Sequence, residues 1–207
     1  MSEKKIVVPG DLVTEQRTRL GSHVFTENGK VYSDALGLVY EDRDSAAVVP
    51  LRGKYIPRRG DIIVGIVESE KFSVYGVAIN SIYASYVSKQ EVRDRLKRGA
   101  VISAKVFDVN EINEAKMEDL RVFYGGEILS VTPVKIPRVI GKSGSMLAQL
   151  KDGTGCNILV GRNGWIWAKG GDTKLLKDAL DLIEREAHLS NLTNKVGDFL
   201  REKRVNK

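Results

Sequence analysis

The sequence predicts a multidomain chain that is all β in its first two thirds and α+β in its last third. Short apolar runs separated by Pro-Gly, Asn-Gly and Arg-Gly turns occupy residues 6–55, as is typical of a small antiparallel β unit. Further short alternating runs follow up to about residue 126. Beyond them the pattern changes to strand, two short helices, a hairpin and a helix. We therefore divide the 207 residues into domains 1–56, 57–126 and 127–207.

The middle domain is predicted to be an S1-type OB barrel. Apolar residues alternate on one face of three of its runs: Ile62, Val64 and Ile66; Tyr75, Val77 and Ile79; Ile102, Ala104 and Val106. The segment "KQEVRDRLKRG" predicts a short polar helix that ends at Gly99. Five short strands with a helix before the fourth is the order of an OB-type barrel.

The last domain contains the stretch "VIGKSGSML", which raises the question of a nucleotide-binding loop. A Walker A loop needs a glycine five positions before the Gly-Lys-Ser, and that position is Ile136. A G-x-x-G turn that leads directly into a helix instead indicates a K-homology loop, which clamps the backbone of single-stranded nucleic acid. The order β-α-α-β-β-α over the rest of the domain predicts a type I KH domain.

The predicted RNA contacts of this loop follow from the chemistry of its residues. Gly141 and Gly144 allow the backbone to approach phosphates, Lys142 adds a charge and Ser143 adds a donor. Arg138 stands just outside the loop. The alternative interpretation is a tight helix–helix turn without a ligand.

A second glycine pair, in "GRNGW", is interpreted as structural. Asn-Gly between two apolar strands is a strong hairpin signal, so Gly161, Asn163 and Gly164 are expected to supply positive φ angles rather than hold a phosphate. Trp165 and Trp167 lie two residues apart on one strand face. We favour buried packing or an interdomain contact for them over base stacking.

The barrel offers further candidates for RNA contact. Exposed aromatic residues on an OB face stack on bases, and basic side chains meet the backbone. The predicted contacts are Phe72, Tyr75, Lys105 and Arg121, with Tyr83 and Tyr86 nearby. Packing in the core or in loops is the alternative for each aromatic.

The end of the chain is expected to be one helix followed by a frayed tail. The helix begins at Asp172 or Thr173, both good N-caps, and buries one face. Its buried residues are predicted to be Leu176, Leu180, Ile183 and Ala187. The tail "FLREKRVNK" is predicted to fray.

Charge and composition narrow the functional classes. Residues 1–130 carry 19 basic and 19 acidic groups, whereas residues 131–207 carry 14 and 8, so the net charge of +6 lies in the domain with the G-x-x-G loop. A single cysteine, Cys156, excludes an intrachain disulfide and a zinc site built from cysteines. No catalytic constellation, metal site or cofactor site is evident. The absence of a long apolar run predicts no membrane contact and a cytoplasmic location.

Taken together, the module order and the segment "VIGKSGSMLAQLKDGTGCNILVGRNGWIWAKG" resemble the S1/KH cap subunits of the archaeal RNA exosome, the ribosomal RNA-processing protein four family. The "GRNG" element matches the G-x-N-G signature of that family, which is regarded as structural. The resemblance covers nearly the whole chain.

The resemblance implies a non-catalytic subunit that docks on an RNase PH-type ring through its first domain, beside other cap subunits. It would recruit single-stranded RNA, A-rich RNA included, for 3′–5′ degradation. Two other classes stay open: an S1/KH factor acting in translation or ribosome-associated RNA processing, and an enzyme in its own right.

Overall fold

The computed structural model of the protein describes residues 5–16, 18–42, 44–51, 53–92, 95–187, 189 and 191–205. The chain forms two units, 1–53 and 54–207. Residues 54–56, which the sequence analysis assigned to the first domain, belong to the second unit, where Tyr55 packs in the barrel core. The barrel and the α+β domain form this second unit together.

The first unit is built of short strands, as predicted. Its strands are β1 (Ile6–Val7), β2 (Leu12–Thr14), β3 (Arg19–Leu20), β4 (Val24–Glu27), β5 (Lys30–Ser33), β6 (Gly37–Asp42) and β7 (Ser45–Pro50). They form one sheet in the order β1-β6-β7-β3 and another in the order β2-β5-β4. The core is small and aliphatic: Val7, Val13, Val31, Ala46 and Val48.

Five strands close into the predicted barrel. They are β8 (Ile62–Glu70), β9 (Val74–Ala78), β10 (Ser85–Ser88), β11 (Val101–Val109) and β12 (Ala115–Phe123), joined in the order β10-β12-β11-β8-β9. The helix expected before the fourth strand is reduced to one 3₁₀ turn, Lys89–Glu91, and residues 95–98 are not helical. Val92 and Leu96 nevertheless pack against the barrel core, and residues 93 and 94 between them lie outside the described residues.

The apolar residues predicted to share one face of β8 lie on the outside of the barrel and not in its core. Ile63 and Val67 point into the barrel core, while Ile62, Val64 and Ile66 share the outer face. Val64 is nevertheless fully buried, because the last domain covers that part of the outer face. The residues predicted on β11, by contrast, are the inward ones.

The last domain has the predicted element order up to its third helix, and one further helix follows. Its elements are β13 (Glu127–Ser130), α1 (Ile136–Ile140), α2 (Ser145–Thr154), β14 (Asn157–Val160), β15 (Trp165–Lys169), α3 (Thr173–Glu186) and α4 (Leu192–Val205). The strands form an antiparallel sheet in the order β13-β15-β14. Asp172 caps α3, because its carboxylate accepts a hydrogen bond from the N–H of Leu175 (2.9 Å).

Residues 199–205 of the tail expected to fray are helical instead, and residues 206 and 207 lie outside the described residues. Helix α4 buries Leu192, Val196 and Leu200, spaced four residues apart, in the core of the domain. It crosses α2 at Gly153 and Gly197, where an added side chain would meet Leu200 or Gln149. The sequence pattern does not predict this helix, because charged residues surround a narrow apolar stripe and a glycine interrupts it.

Candidate nucleic-acid interface

The G-x-x-G loop joins α1 to α2 through three residues with positive φ. Gly141 has φ 75° and ψ 175°, Ser143 has φ 52°, and Gly144 has φ 81°. A side chain at Gly141 would lie 2.7 Å from the N and Cβ atoms of Met146, so only glycine fits there. Gly144 has open space around it, so its glycine is favoured by φ alone. The sequence thus folds into a tight turn at the start of a ten-residue helix.

The loop presents its polar groups to solvent. Lys142 and Ser143 are exposed, as is Arg138 on α1. No side chain caps the N-terminus of α2, although the N–H of Ser145, its first residue, donates to the carbonyl oxygen of Lys142. The positive end of the helix dipole is therefore not offset by a capping side chain. The structure therefore brings together all five of the loop residues that the sequence singled out, in an arrangement suited to an anion.

The second glycine element lies in a different environment. The G-x-N-G segment connects β14 to β15 and packs on the outer face of the barrel. Asn163 is 0% exposed. Its side-chain oxygen accepts a hydrogen bond from Val64 N–H (3.2 Å), and its amide nitrogen donates to the carbonyl oxygens of Val64 (2.7 Å) and Ile79 (2.8 Å). The hairpin therefore attaches the last domain to the barrel.

The structural role predicted for this element has a different cause at each position. Only Gly164 has a positive φ (87°), which corrects the expectation for Gly161 and Asn163. Gly161 is glycine because a side chain there would lie 2.6 Å from the N atom of Val64. Asn163 is needed for its hydrogen bonds, which no hairpin rule reveals.

A second contact between the barrel and the last domain involves Trp167. Its ring stacks on Phe123, with centroids 4.3 Å apart, and its Nε1–H donates to the carbonyl oxygen of Gly125 (2.9 Å). Phe123 ends the last barrel strand. Burial of the tryptophan against another domain agrees with the sequence interpretation. The ring has no free face on which a base could stack.

The two aromatic candidates of the barrel differ in their exposure to solvent. Phe72 lies at the tip of the β8–β9 hairpin and is fully exposed. Tyr75 is 3% exposed, and its hydroxyl accepts a hydrogen bond from Leu96 N–H (3.3 Å), while Lys89 lies over its ring. A buried ring cannot stack on a base, so the predicted RNA contact of Tyr75 is wrong for this structure.

Hydrogen bonds from Lys89 and Arg95 lower the pKa of the Glu70 carboxyl, which lies next to Tyr75 on the neighbouring strand.

The two basic candidates lie on the outer face of the barrel. Lys105 forms an ion pair with Glu118 (3.3 Å), and Arg121 is exposed opposite Ser103. Neither is brought next to Phe72, which sits at the β8–β9 tip. Phe107, an exposed ring on β11, was not among the predicted contacts, and the apolar residues predicted to share a face of that strand are the inward ones. The alternation of β11 could have indicated this ring, since Phe107 is an apolar residue at an outward position.

Two further findings concern the part of the chain that the structure describes. No group of three or more His, Cys, Asp or Glu side chains there is placed to hold a metal ion. No helix in the same ranges has the length and apolar character needed to cross a membrane.

Comparison with known proteins agrees with this geometry. Residues 4–52 match the family described as the exosome RNA binding protein RRP4 N-terminal domain, and residues 126–174 match the KH domain. Exosome complex component Rrp4 of Methanobrevibacter smithii is 39% identical over 97% of this chain and 72% of its own length. The protein of the same name from Methanothermus fervidus is 38% identical over 97% of this chain and 96% of its own.

The chain belongs to the archaeal Rrp4 family of exosome components. Among solved structures, a crystal structure assigned as an exosome complex RNA-binding protein is 31% identical. It matches with a TM-score of 0.66 over 75% of this chain and all of the other. The resemblance and the fold class derived from the sequence are thereby confirmed.

Proposed function

We propose that this chain is a non-catalytic RNA-binding subunit of an exosome, which docks on an RNase PH-type ring and delivers single-stranded RNA for 3′–5′ degradation. Membership of the Rrp4 family supports the association with an exosome. The observation that carries the RNA-binding part is the exposed, uncapped G-x-x-G turn at the start of α2.

The loop suits the backbone of RNA better than its bases. Lys142 and Ser143 stand beside the N-terminus of a ten-residue helix, where the helix dipole favours negative charge. Phosphate contacts position a strand without reading its sequence. The seven basic and two acidic residues between positions 131 and 174 add a favourable field around the loop.

The first unit carries a surface suited to protein docking. On the sheet β1-β6-β7-β3, Ile6 pairs with Leu38 and Leu38 with Val49, and Tyr40 shares their face. Ile6, Tyr40 and Val49 are 61%, 58% and 49% exposed, whereas the opposite face holds the core. A contiguous exposed apolar face marks an interaction site. We call these four residues the apolar face and propose that it contacts the ring.

Charge substitutions on the apolar face test the docking proposal in the full chain. Tyr40→Asp with Val49→Asp should abolish binding to a reconstituted RNase PH-type ring, because desolvating two carboxylates opposes association. RNA affinity and melting temperature should stay unchanged. The matched control is Tyr124→Asp, an exposed aromatic of the second unit. Ring binding that survives the double substitution would exclude this face.

The enzyme alternative needs its own measurement. Purified chain, incubated with labelled single-stranded RNA and either phosphate or a divalent metal, should show no shortening of the RNA. Degradation that co-purifies with the chain and is unaffected by removal of ring subunits would overturn the non-catalytic assignment. Co-purification with ribosomes instead of a nuclease ring would favour the translation factor.

A further inference from the structure

An aromatic ring on the outer face of the barrel lies between two cations. Phe107 on β11 is 39% exposed. The guanidinium carbon of Arg59 lies 5.8 Å from its ring centroid, and the Nζ of Lys116 on β12 lies 5.3 Å from it. Neither cation forms an ion pair with a residue that the structure describes. Two charges without acidic partners in the described ranges are thus held around one accessible ring.

This ring lies beside the junction of the barrel with the last domain. The outer face of β8 and β11 is covered at Val64 and Ser103, which are paired and buried, and it becomes accessible again at Ile62. The exposed residue Arg162 of the G-x-N-G hairpin reaches this point, because its backbone N–H donates to the carbonyl oxygen of Ile62 (2.9 Å). The last domain therefore contributes a third cation to the same region.

The turn before β8 holds Arg59 in place. Gly60 N–H donates to the carbonyl of Val106 (2.8 Å), and Val106 N–H donates to that of Asp61 (2.8 Å), so the turn is tied to the residue before Phe107. The Asp61 carboxylate accepts a hydrogen bond from the Tyr55 hydroxyl (2.9 Å), and it forms no ion pair with a cation that the structure describes. Burial, together with this carboxylate, raises the pKa of Tyr55. Arg59 is exposed, whereas Lys116 is half-buried and lies opposite the exposed Asp108 of β11.

We infer that Arg59, Phe107, Lys116 and Arg162 form a second binding site for single-stranded RNA, in which a base displaces one of the two cations that lie over the Phe107 ring and stacks there. The basic groups then contact the flanking phosphates. We call it the junction site. The inference rests on the proposed RNA-binding function and adds to it a surface that combines both domains. An aromatic ring with surrounding cations is the composition that binds single strands without sequence preference.

The site differs from the usual OB ligand surface, which uses the second and third strands with the loops of the first and fourth hairpins. Phe107 belongs to the fourth strand, and Arg59 precedes the first. A role confined to barrel stability is the competing explanation, since cation–π pairs occur on protein surfaces without any ligand. A substitution that removes the aromatic ring but keeps an apolar side chain distinguishes RNA binding from barrel stability.

The experiment measures the affinity of the full chain for a single-stranded RNA of about twelve nucleotides, within the range that OB folds bind. Phe107→Leu removes the ring and keeps an apolar side chain, and it should weaken binding roughly 5- to 150-fold, the range expected when a base loses its stacking partner. Phe107→Trp should restore affinity. Arg59→Glu with Lys116→Glu should weaken binding and flatten its salt dependence by about 0.7 for each phosphate that is no longer neutralised. The matched charge control is Lys177→Glu with Arg185→Glu, two exposed basic residues of α3.

The outcomes are distinguishable from failure of the proposed function. If the unaltered chain binds no RNA, the proposed function fails. If it binds RNA, and Phe107→Leu binds equally well at an unchanged melting temperature, the junction site is excluded while the loop proposal stands. A melting temperature lowered to the same extent by Phe107→Leu and Phe107→Trp, with equal affinities, would assign the ring to stability. Crosslinking of 4-thiouridine RNA to the β11 peptide should be strong in the unaltered chain and absent in Phe107→Leu.

Discussion

Two glycine motifs of the last domain have the same spacing and opposite surroundings. Gly141 to Gly144 encloses an exposed lysine and serine, and Gly161 to Gly164 encloses an exposed arginine and a buried asparagine. The first ends in an uncapped helix, whereas the second joins two strands and inserts its asparagine into the barrel surface. A pair of glycines three residues apart therefore indicates a tight turn, and what surrounds the turn decides its use.

The difference shows most clearly in the polar groups. The amide of Asn163 satisfies three backbone groups of another domain, whereas Lys142 and Ser143 are exposed beside an uncapped helix start. Buried polar groups must be paired within the protein, but exposed ones can serve a ligand. We therefore expect substitutions in the hairpin to change stability and substitutions in the loop to change RNA affinity.

The largest effect is expected for Asn163→Ala. The substitution leaves the N–H and C=O of Val64 and the C=O of Ile79 buried without a partner, at about 1–3 kcal/mol for each group. We expect a loss of ~3–5 kcal/mol, or roughly 10 °C in melting temperature for a chain of this size. Thermal unfolding of the full chain measures it, with Lys142→Ala as the control. A loss below about 1 kcal/mol would show that water replaces the amide.

A matched pair of alanine substitutions separates backbone strain from crowding. Gly144 and Gly164 both have positive φ, at a cost of about 1–2 kcal/mol for alanine. At Gly164 the new Cβ would also lie 2.3 Å from the carbonyl oxygen of Val131, whereas Gly144 has nothing within 4 Å. Gly164→Ala should therefore cost ~3 kcal/mol and Gly144→Ala ~1 kcal/mol in denaturant unfolding. Equal losses would contradict the different packing of the two turns.

The loop is tested by charge reversal. Lys142→Asp with Ser143→Asp places two carboxylates where the RNA backbone is proposed to lie, and affinity should fall about tenfold or more for all RNA sequences. The fold should tolerate both changes, because acidic residues suit a helix start and aspartate tolerates the φ of 52° at Ser143. Binding is measured at several salt concentrations together with the melting temperature. Unchanged RNA affinity in a stable variant would show that the loop is a structural turn that does not contact RNA.

The smallest effect is expected at the second contact with the barrel. Trp167→Phe keeps a ring against Phe123 and removes the hydrogen bond from Nε1 to the Gly125 carbonyl. The loss should be about 1 kcal/mol in unfolding free energy. Trp165→Phe, on the same strand face and only partly buried, is the control and should change stability by less than ~0.5 kcal/mol. If the two variants are equally affected, the hydrogen bond does not contribute.

The local sequence pattern predicted correctly those structural elements that have a sequence signal of their own. The β-α-α-β-β-α order, the cap at Asp172 and the turn at Gly141 follow from spacing and residue type, and the structure has all three. Helix α4 was missed because its apolar stripe is narrow and becomes favourable only against α2 and α3. The burial of Tyr75 was missed for a related reason, since alternation does not say which face of a barrel strand is the inner one.

The sequence by itself determined the module order, the family, the tight turn at Lys142 and the concentration of positive charge in the last domain. These features depend on neighbouring residues and on composition, so they can be recognised without long-range contacts. Only the tertiary structure showed that Asn163 joins two domains, that Phe107 stands between Arg59 and Lys116, and that Tyr75 is buried. Each of these depends on contacts between residues distant along the chain, and local pattern carries no information about which distant groups will meet.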